Sequence, residues 1–277
     1  MKRIINLLIL LQTLSVISAL SAQSLWVNHL QGNYFALEIF KPNFDSDFIG
    51  ESDLSFASSV VILTGWYVVS ENFRLVGELP FAHGSIDEVG ESETETIIGN
   101  VYIGLEFRKP NAPVFTEFGI RPPLAAEEKI IAPIIGIISE FDRLEAFLPD
   151  IITLSGKVNY YQQNSSKMIF WLRGGPTAWL NSDDFVGDDS EIWMDYSAQI
   201  GYEGEQFRLM GGLTGRMIVT QDGIDFGDRF INQLTATASA KLGRVQPGIL
   251  FRLPLDDDFF LNFVDFIFGF NLGVQLR

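Results

Sequence analysis

The residues best placed to act on a solute are charged side chains that recur at alternate positions along stretches whose intervening positions are apolar. Arg74 and Glu78 stand between Phe73, Leu75, Gly77 and Leu79, and Glu106 and Arg108 oppose Ile103, Leu105 and Phe107. Glu117 and Arg121 oppose Val114, Phe118 and Ile120, while Asp195 opposes Met194 and Tyr196. Glu38, Lys157, Arg173, Arg208, Arg216, Lys241, Arg252 and Asp265 occur in the same way. Successive side chains of a strand point to opposite faces, so each stretch reads as a strand with one greasy face and one charged face. Both signs are present on the charged face. A charge removed from water needs a partner or trapped water, so this face predicts either a polar network filling a narrow interior or a charged path that selects solutes.

Other chemistry has little support. The chain has no cysteine, which removes thiolate catalysis, disulfides and thiolate-ligated metals. Its two histidines are His29 and His83, and the run His83-Gly84-Ser85 is too common to mark a hydrolase. Asp183, Asp184, Asp188 and Asp189 lack the glycine-punctuated spacing of a calcium loop. No glycine-rich phosphate loop and no basic patch appears. The chain is therefore expected to be no enzyme, to need no cofactor or metal, and to bind no nucleic acid.

The charged positions must be carried by long strands. Glu191 to Glu203 and Phe207 to Thr220 form the clearest hairpin, with the turn Glu203-Gly204-Glu205-Gln206 between them. Each arm exceeds the usual five or six residues of a soluble strand and suits a tilted crossing of a bilayer, which takes at least ~9 to 11. The same alternation appears in Tyr34 to Lys41, Phe73 to Phe81, Thr96 to Arg108, Pro113 to Arg121, Asp150 to Tyr161 and Lys167 to Thr177. It returns in Phe230 to Leu242, Val245 to Leu255 and Phe263 to Leu276, whereas Phe56 to Ser70 is apolar on both faces at its centre. Between Pro122 and Pro149 the period changes to that of a helix, with Ile134, Ile138, Phe141, Leu144 and Phe147 in phase. Pro133 and Gly136 argue against one unbroken helix there. This insertion, 122–150, is too apolar for a free loop, and Ile134, Ile138, Phe141, Arg143 and Phe147 are its candidate gate residues.

These stretches predict an all-β chain: a transmembrane antiparallel up-and-down barrel of about 12 strands with a partly helical extracellular insertion. Short connections near Glu71, Lys109, Asn164, Gly204 and Gly243 alternate with long acidic ones. A soluble sandwich, the alternative reading, has no reason to segregate loop length by parity, whereas outer-membrane barrels have short periplasmic turns and longer outer loops. Of the chain's 35 acidic residues, 26 fall in the six long connections, which predicts either simple loop solvation or a cation-attracting outer mouth. Tyr67, Phe73, Phe107, Phe115, Tyr160, Tyr161, Tyr202 and Phe207 flank four of the short turns, where an aromatic girdle belongs. Lys2 and Arg3, the apolar run Ile4 to Leu20 and the small residues Ser21 and Ala22 read as a secretory signal over 1–22, leaving 23–277 as the barrel domain.

The run from Glu78 to Ala125 resembles the outer-membrane channel-like proteins of the phenol-degradation MetA and FadL-like group. The matching positions are Leu79-Pro80-Phe81, Gly99-Asn100, Tyr102, Gly104, Gly119 and Pro122-Pro123. The resemblance implies uptake of small, often hydrophobic compounds, although only about ten residues separate the expected signal from the first strand, so the long N-terminal plug region of true fatty-acid channels is lacking. The expectation is thus a passive or gated channel for small solutes in a bacterial outer membrane, surrounded by outer-membrane lipids and lipopolysaccharide. The alternative is a non-transporting barrel that supports the envelope or displays its loops. The sequence leaves the solute and the oligomeric state open.

Overall fold

The computed structural model describes residues 32–44, 53–54, 58–88, 91–181, 190–220, 225–255 and 264–276. The expected signal, His29 and the Asp183 to Asp189 loop lie outside the described residues. The chain forms a closed antiparallel barrel of 12 strands. In chain order its strands are β1 (Tyr34–Phe44), β2 (Asp53–Leu54), β3 (Ser59–Val68), β4 (Phe73–Glu88), β5 (Glu91–Ile98), β6 (Tyr102–Arg108) and β7 (Val114–Arg121). Then follow β8 (Ile151–Gln163), β9 (Met168–Asn181), β10 (Ser190–Glu203), β11 (Phe207–Ile218), β12 (Phe230–Ala240), β13 (Val245–Pro254) and β14 (Val264–Gln275).

Neighbours in sequence pair around most of the wall. Pairing of β1 with β14 and of β4 with β6 completes the circuit, leaving the two-residue β2 as a supernumerary strand beside the tip of β4. Strands β5 and β6 together make one wall strand, broken at Gly99-Asn100-Val101 where a single strand over 96–108 was expected. The stretch 83–95, expected as an acidic loop, is instead the extended top of β4 and β5, paired from His83↔Thr96 to Glu88↔Glu91. Its alternating Thr94, Glu95, Thr96 and Ile97 are a half-polar strand pattern that the acidic composition obscured.

Burial in the wall is inverted relative to a soluble protein. Thr64, Glu78, Glu106, Glu117, Lys157, Asn159, Gln199, Thr214 and Arg252 are buried, while Leu75, Phe170, Leu172, Ile200, Leu209, Leu234, Ile249 and Phe268 are exposed. Leu172 and Ile200 are half exposed, at 52% and 50%. A water-soluble sandwich would bury this apolar set; only a hydrocarbon surround makes an encircling greasy belt favourable, and closure leaves it no unpaired edge. The apolar inner face of β3 has a separate cause. Val60 and Ile62 join Phe40, Ala82, Ile97, Ala132, Ile138, Phe147 and Ile267 in a cluster inside the barrel, where the 122–150 insertion packs.

Part of the expected girdle lies outside the wall and part inside. Tyr67 is exposed, Phe73 meets Phe107 at 5.2 Å and Tyr202 meets Phe207 at 5.4 Å. Phe115 and Tyr161 are corrections: Phe115 is fully buried beside Trp171, Ile169 and Met210, and Tyr161 packs edge-on against Trp171. Phe115 shares the phase of Glu117, which sends both inward.

Candidate functional site

The insertion folds back into the barrel and fills its centre. After Pro122 and Pro123 stop β7, helix α1 (Ile131–Ser139) descends along the upper wall and passes into a 3-10 turn over Phe141–Ala146. The insertion is not one unbroken helix, as expected, although the break falls after Ser139 and not at Pro133 or Gly136. Pro133 lies in the first turn, where its missing N–H is no loss, and a side chain at Gly136 would strike the ring of Phe147. No residue of α1 caps its own N-terminus. Glu95 of β5 does so from the wall, its carboxylate accepting the N–H groups of Ile130, Ile131 and Ala132 at 3.1, 2.7 and 3.1 Å.

Both ends of the plug are tied to one side chain in the break between β5 and β6. Asn100 Oδ1 accepts from the backbone N–H of Leu124 and Ala125 at 2.6 and 2.8 Å. Its Nδ2 donates to the carbonyls of Glu145 and Leu148 at 2.9 and 2.6 Å, and its own N–H donates to the carbonyl of Ala146 at 2.6 Å. Had the strand run on unbroken, the Asn100 N–H would have been spent on the ladder. Of the residues that carried the family resemblance, Gly99 and Asn100 lie at the root of the plug, where a side chain at Gly99 would strike the carbonyl of Ala146. Tyr102 lies over Gly104 and Gly119, where a side chain would collide with its ring; it donates to Glu117 at 2.7 Å and faces the Arg121 guanidinium at 5.0 Å.

Within the lumen the charged positions form two ion-pair networks, each tied to the plug. Arg143 of the plug reaches Glu38 of β1 at 3.1 Å, Glu78 of β4 at 3.0 Å and Glu140 at 2.8 Å. Glu78 also pairs with Arg121. Two strands round from β1, Arg252 of β13 grips Glu140 with both Nη atoms, at 3.0 and 3.1 Å, above the ring of Phe40. Arg216 of β11 joins Glu145 of the plug and Asp195 of β10, both at 2.7 Å, beside the paired rings of Trp179 and Trp193. Lys157 pairs with Asp195 and lies near the carbonyls of Gly175 and Pro176, 3.2 and 3.4 Å away. Burial raises the pKa of Glu140, yet Arg143 and Arg252 outweigh it and hold the carboxyl below its ordinary range. Asp142, also buried, is pushed up, because burial exceeds the pull of Arg252.

The remaining sequence-derived residues divide. Arg74 faces Glu106 at 3.6 Å, Arg108 stacks on Phe115 at 4.9 Å, and Arg173 and Arg208 are buried within the lumen wall. Lys241 pairs with Glu203 at 2.5 Å near the short-turn end. Asp265 stands apart: the β1–β14 register slips at Asn43/Phe44, so Val264 joins the inner cluster while Asp265 is exposed and accepts from Asn43 at 3.1 Å. Strict alternation cannot anticipate such a bulge. Of the gate candidates, Ile138, Phe141, Arg143 and Phe147 are buried, whereas Ile134 is exposed. Glu140, Asp142 and Glu145, counted from sequence among the solvated loop acids, are instead buried partners of wall arginines. Their spacing over one or two turns beside Phe141 and Leu144 was the available signal.

The geometry has counterparts among solved structures. The COG4313 outer membrane channel from Pseudomonas putida F1 superposes with a TM-score of 0.61 at 13% identity, covering 92% of this chain and 99% of that one. The NanC porin superposes at 0.51 with 9% identity, over 89% of this chain and 100% of its own. The β domain of the Bordetella autotransporter BrkA does so at 0.51 with 9% identity, over 88% and 99%. At these identities the likeness is one of fold. No family model matches the chain, and no curated protein matches it in sequence.

Proposed function

We propose that this barrel resides in a bacterial outer membrane, exported by the signal at 1–22, and works as a gated channel for small solutes whose gate is the segment 122–150. The supporting observation is the plug itself. It lies inside a membrane-type barrel, and buried ion pairs to β1, β4, β11 and β13 contribute to its hold. Ion pairs suit a segment that must leave and return, because the charged groups separated on withdrawal are rehydrated in an opened lumen. In this reading the short turns face the periplasm.

Two measurements test it. Glu205→Cys and Phe226→Cys, at opposite ends of the barrel, are treated in intact cells with a membrane-impermeant thiol reagent; only the Phe226 variant is expected to react. Reaction of Glu205→Cys alone would reverse the orientation. Swelling of proteoliposomes in neutral, anionic, cationic and hydrophobic solutes then compares the intact chain with one lacking 124–148. Faster swelling of the deleted form is expected. If no solute enters through either, the channel reading fails and the non-transporting barrel takes its place.

A further inference from the structure

One wall arginine is completed only by the plug. The carboxylates that Arg252 meets among the described residues are Glu140, in a two-pronged pair at 3.0 and 3.1 Å, and Asp142 at 3.8 Å, and both belong to the plug. Arg216 differs, because Asp195 of the neighbouring wall strand would remain to it after the plug had gone. Arg252 is fully buried, its Nε–H has no acceptor among the described residues, and Phe40 covers one face of the guanidinium at 4.6 Å. Withdrawal of the plug would therefore leave the guanidinium of Arg252 with its fork empty. A carboxylate that takes the place of Glu140 restores a two-pronged, charge-assisted pair and so favours withdrawal.

We infer that Arg252 is a solute-binding residue, that Glu140 occupies its site as an internal stand-in for a carboxylate, and that the channel favours small solutes bearing one carboxylate group. This rests on the channel reading and adds the solute class to it. The single fork at Arg252 matches one carboxylate, and Phe40 beneath it provides an apolar flank for the carbon skeleton. The acidic long connections disfavour multiply charged anions, which narrows the class further to solutes with one negative charge.

The test measures uptake of radiolabelled gluconate and of radiolabelled sorbitol, similar in size and differing in the carboxylate, into proteoliposomes. The wild type is expected to take up gluconate faster than sorbitol. Arg252→Gln should lower the gluconate-to-sorbitol ratio by roughly tenfold or more, the worth of one charge-assisted fork. Glu140→Gln, which loosens the stand-in and leaves Arg252 in place, should raise gluconate uptake. Heat-dependent gel mobility of each variant reports whether the barrel has formed; should Arg252→Gln fail to form one, the Glu140→Gln result decides alone. Equal uptake of both solutes by the wild type, or a ratio unchanged in a folded Arg252→Gln barrel, overturns the inference while leaving a channel. Uptake of neither solute by wild type, Glu140→Gln or the 124–148 deletion overturns the channel reading itself.

Discussion

Asn100 and Glu140 each tie the plug to the wall. Asn100 satisfies backbone groups at both ends of the insertion, and Asn100→Ala would leave the Leu124 and Ala125 N–H groups and the Glu145 and Leu148 carbonyls without it. A buried group left unmatched costs about 1–3 kcal/mol, so Asn100→Ala should lower the heat-unfolding midpoint in detergent and raise the swelling rate together. A lowered midpoint with unchanged swelling would make Asn100 a folding residue only. Glu140 adds a pH dependence. Its carboxyl is held below its ordinary value of 4.5, so the stabilisation it lends is complete above 4.5 and is lost as pH falls through the lower folded value. Asp142 runs the other way: its raised pKa means that its cost exists above its ordinary 3.8 and is relieved on acidification. Swelling rates should therefore climb as pH falls well below 4.5, with Glu140→Gln abolishing most of that rise. The lumen-facing charges were legible in the sequence because alternation fixes the face of every strand residue. Asp265 was not, since a one-residue slip at Asn43/Phe44 reverses the phase at the strand end. Glu140, Asp142 and Glu145 were misplaced for a different reason: composition marks them as acidic, and only the tertiary path of the insertion makes them buried.

Among the elements, the insertion departs most from a local reading. The helical period over Ile131 to Phe147 was visible, but Pro133 and Gly136 looked like interruptions. Their roles come from position: Pro133 sits in the first turn, and Gly136 makes room for Phe147. Gly136→Val would force Phe147 from its site, and overpacking of this kind typically costs about 1–3 kcal/mol. The expected result is a barrel that still forms, as judged by heat-dependent gel mobility, with a plug that proteases reach faster. Unchanged protease resistance would show that Phe147 has room to move. The break between β5 and β6 was equally hidden. Gly99-Asn100 fits a continuous alternation, and nothing local shows that the Asn100 N–H turns to the plug carbonyl of Ala146 instead of the ladder.

For the whole molecule, strand number, the turn pattern and the inverted burial were all present in the sequence, because closure and a hydrocarbon surround impose them on every strand alike. The contents of the barrel were not. Contacts between plug and wall join residues far apart in the chain, such as Arg143 with Glu38 and Glu140 with Arg252, and no local period encodes them. The central claim is that this network keeps a channel shut. Arg143 holds three carboxylates at once, so Arg143→Met removes the most contacts with the least change in bulk. Loss of one partner from a buried ion pair costs about 3–5 kcal/mol, enough to shift a closed plug strongly toward release. The most direct measurement is conductance in planar lipid bilayers, wild type beside Arg143→Met. A wild type that is mostly closed and a variant that opens often and to a larger level is the predicted result; a folded Arg143→Met barrel as closed as the wild type would contradict it.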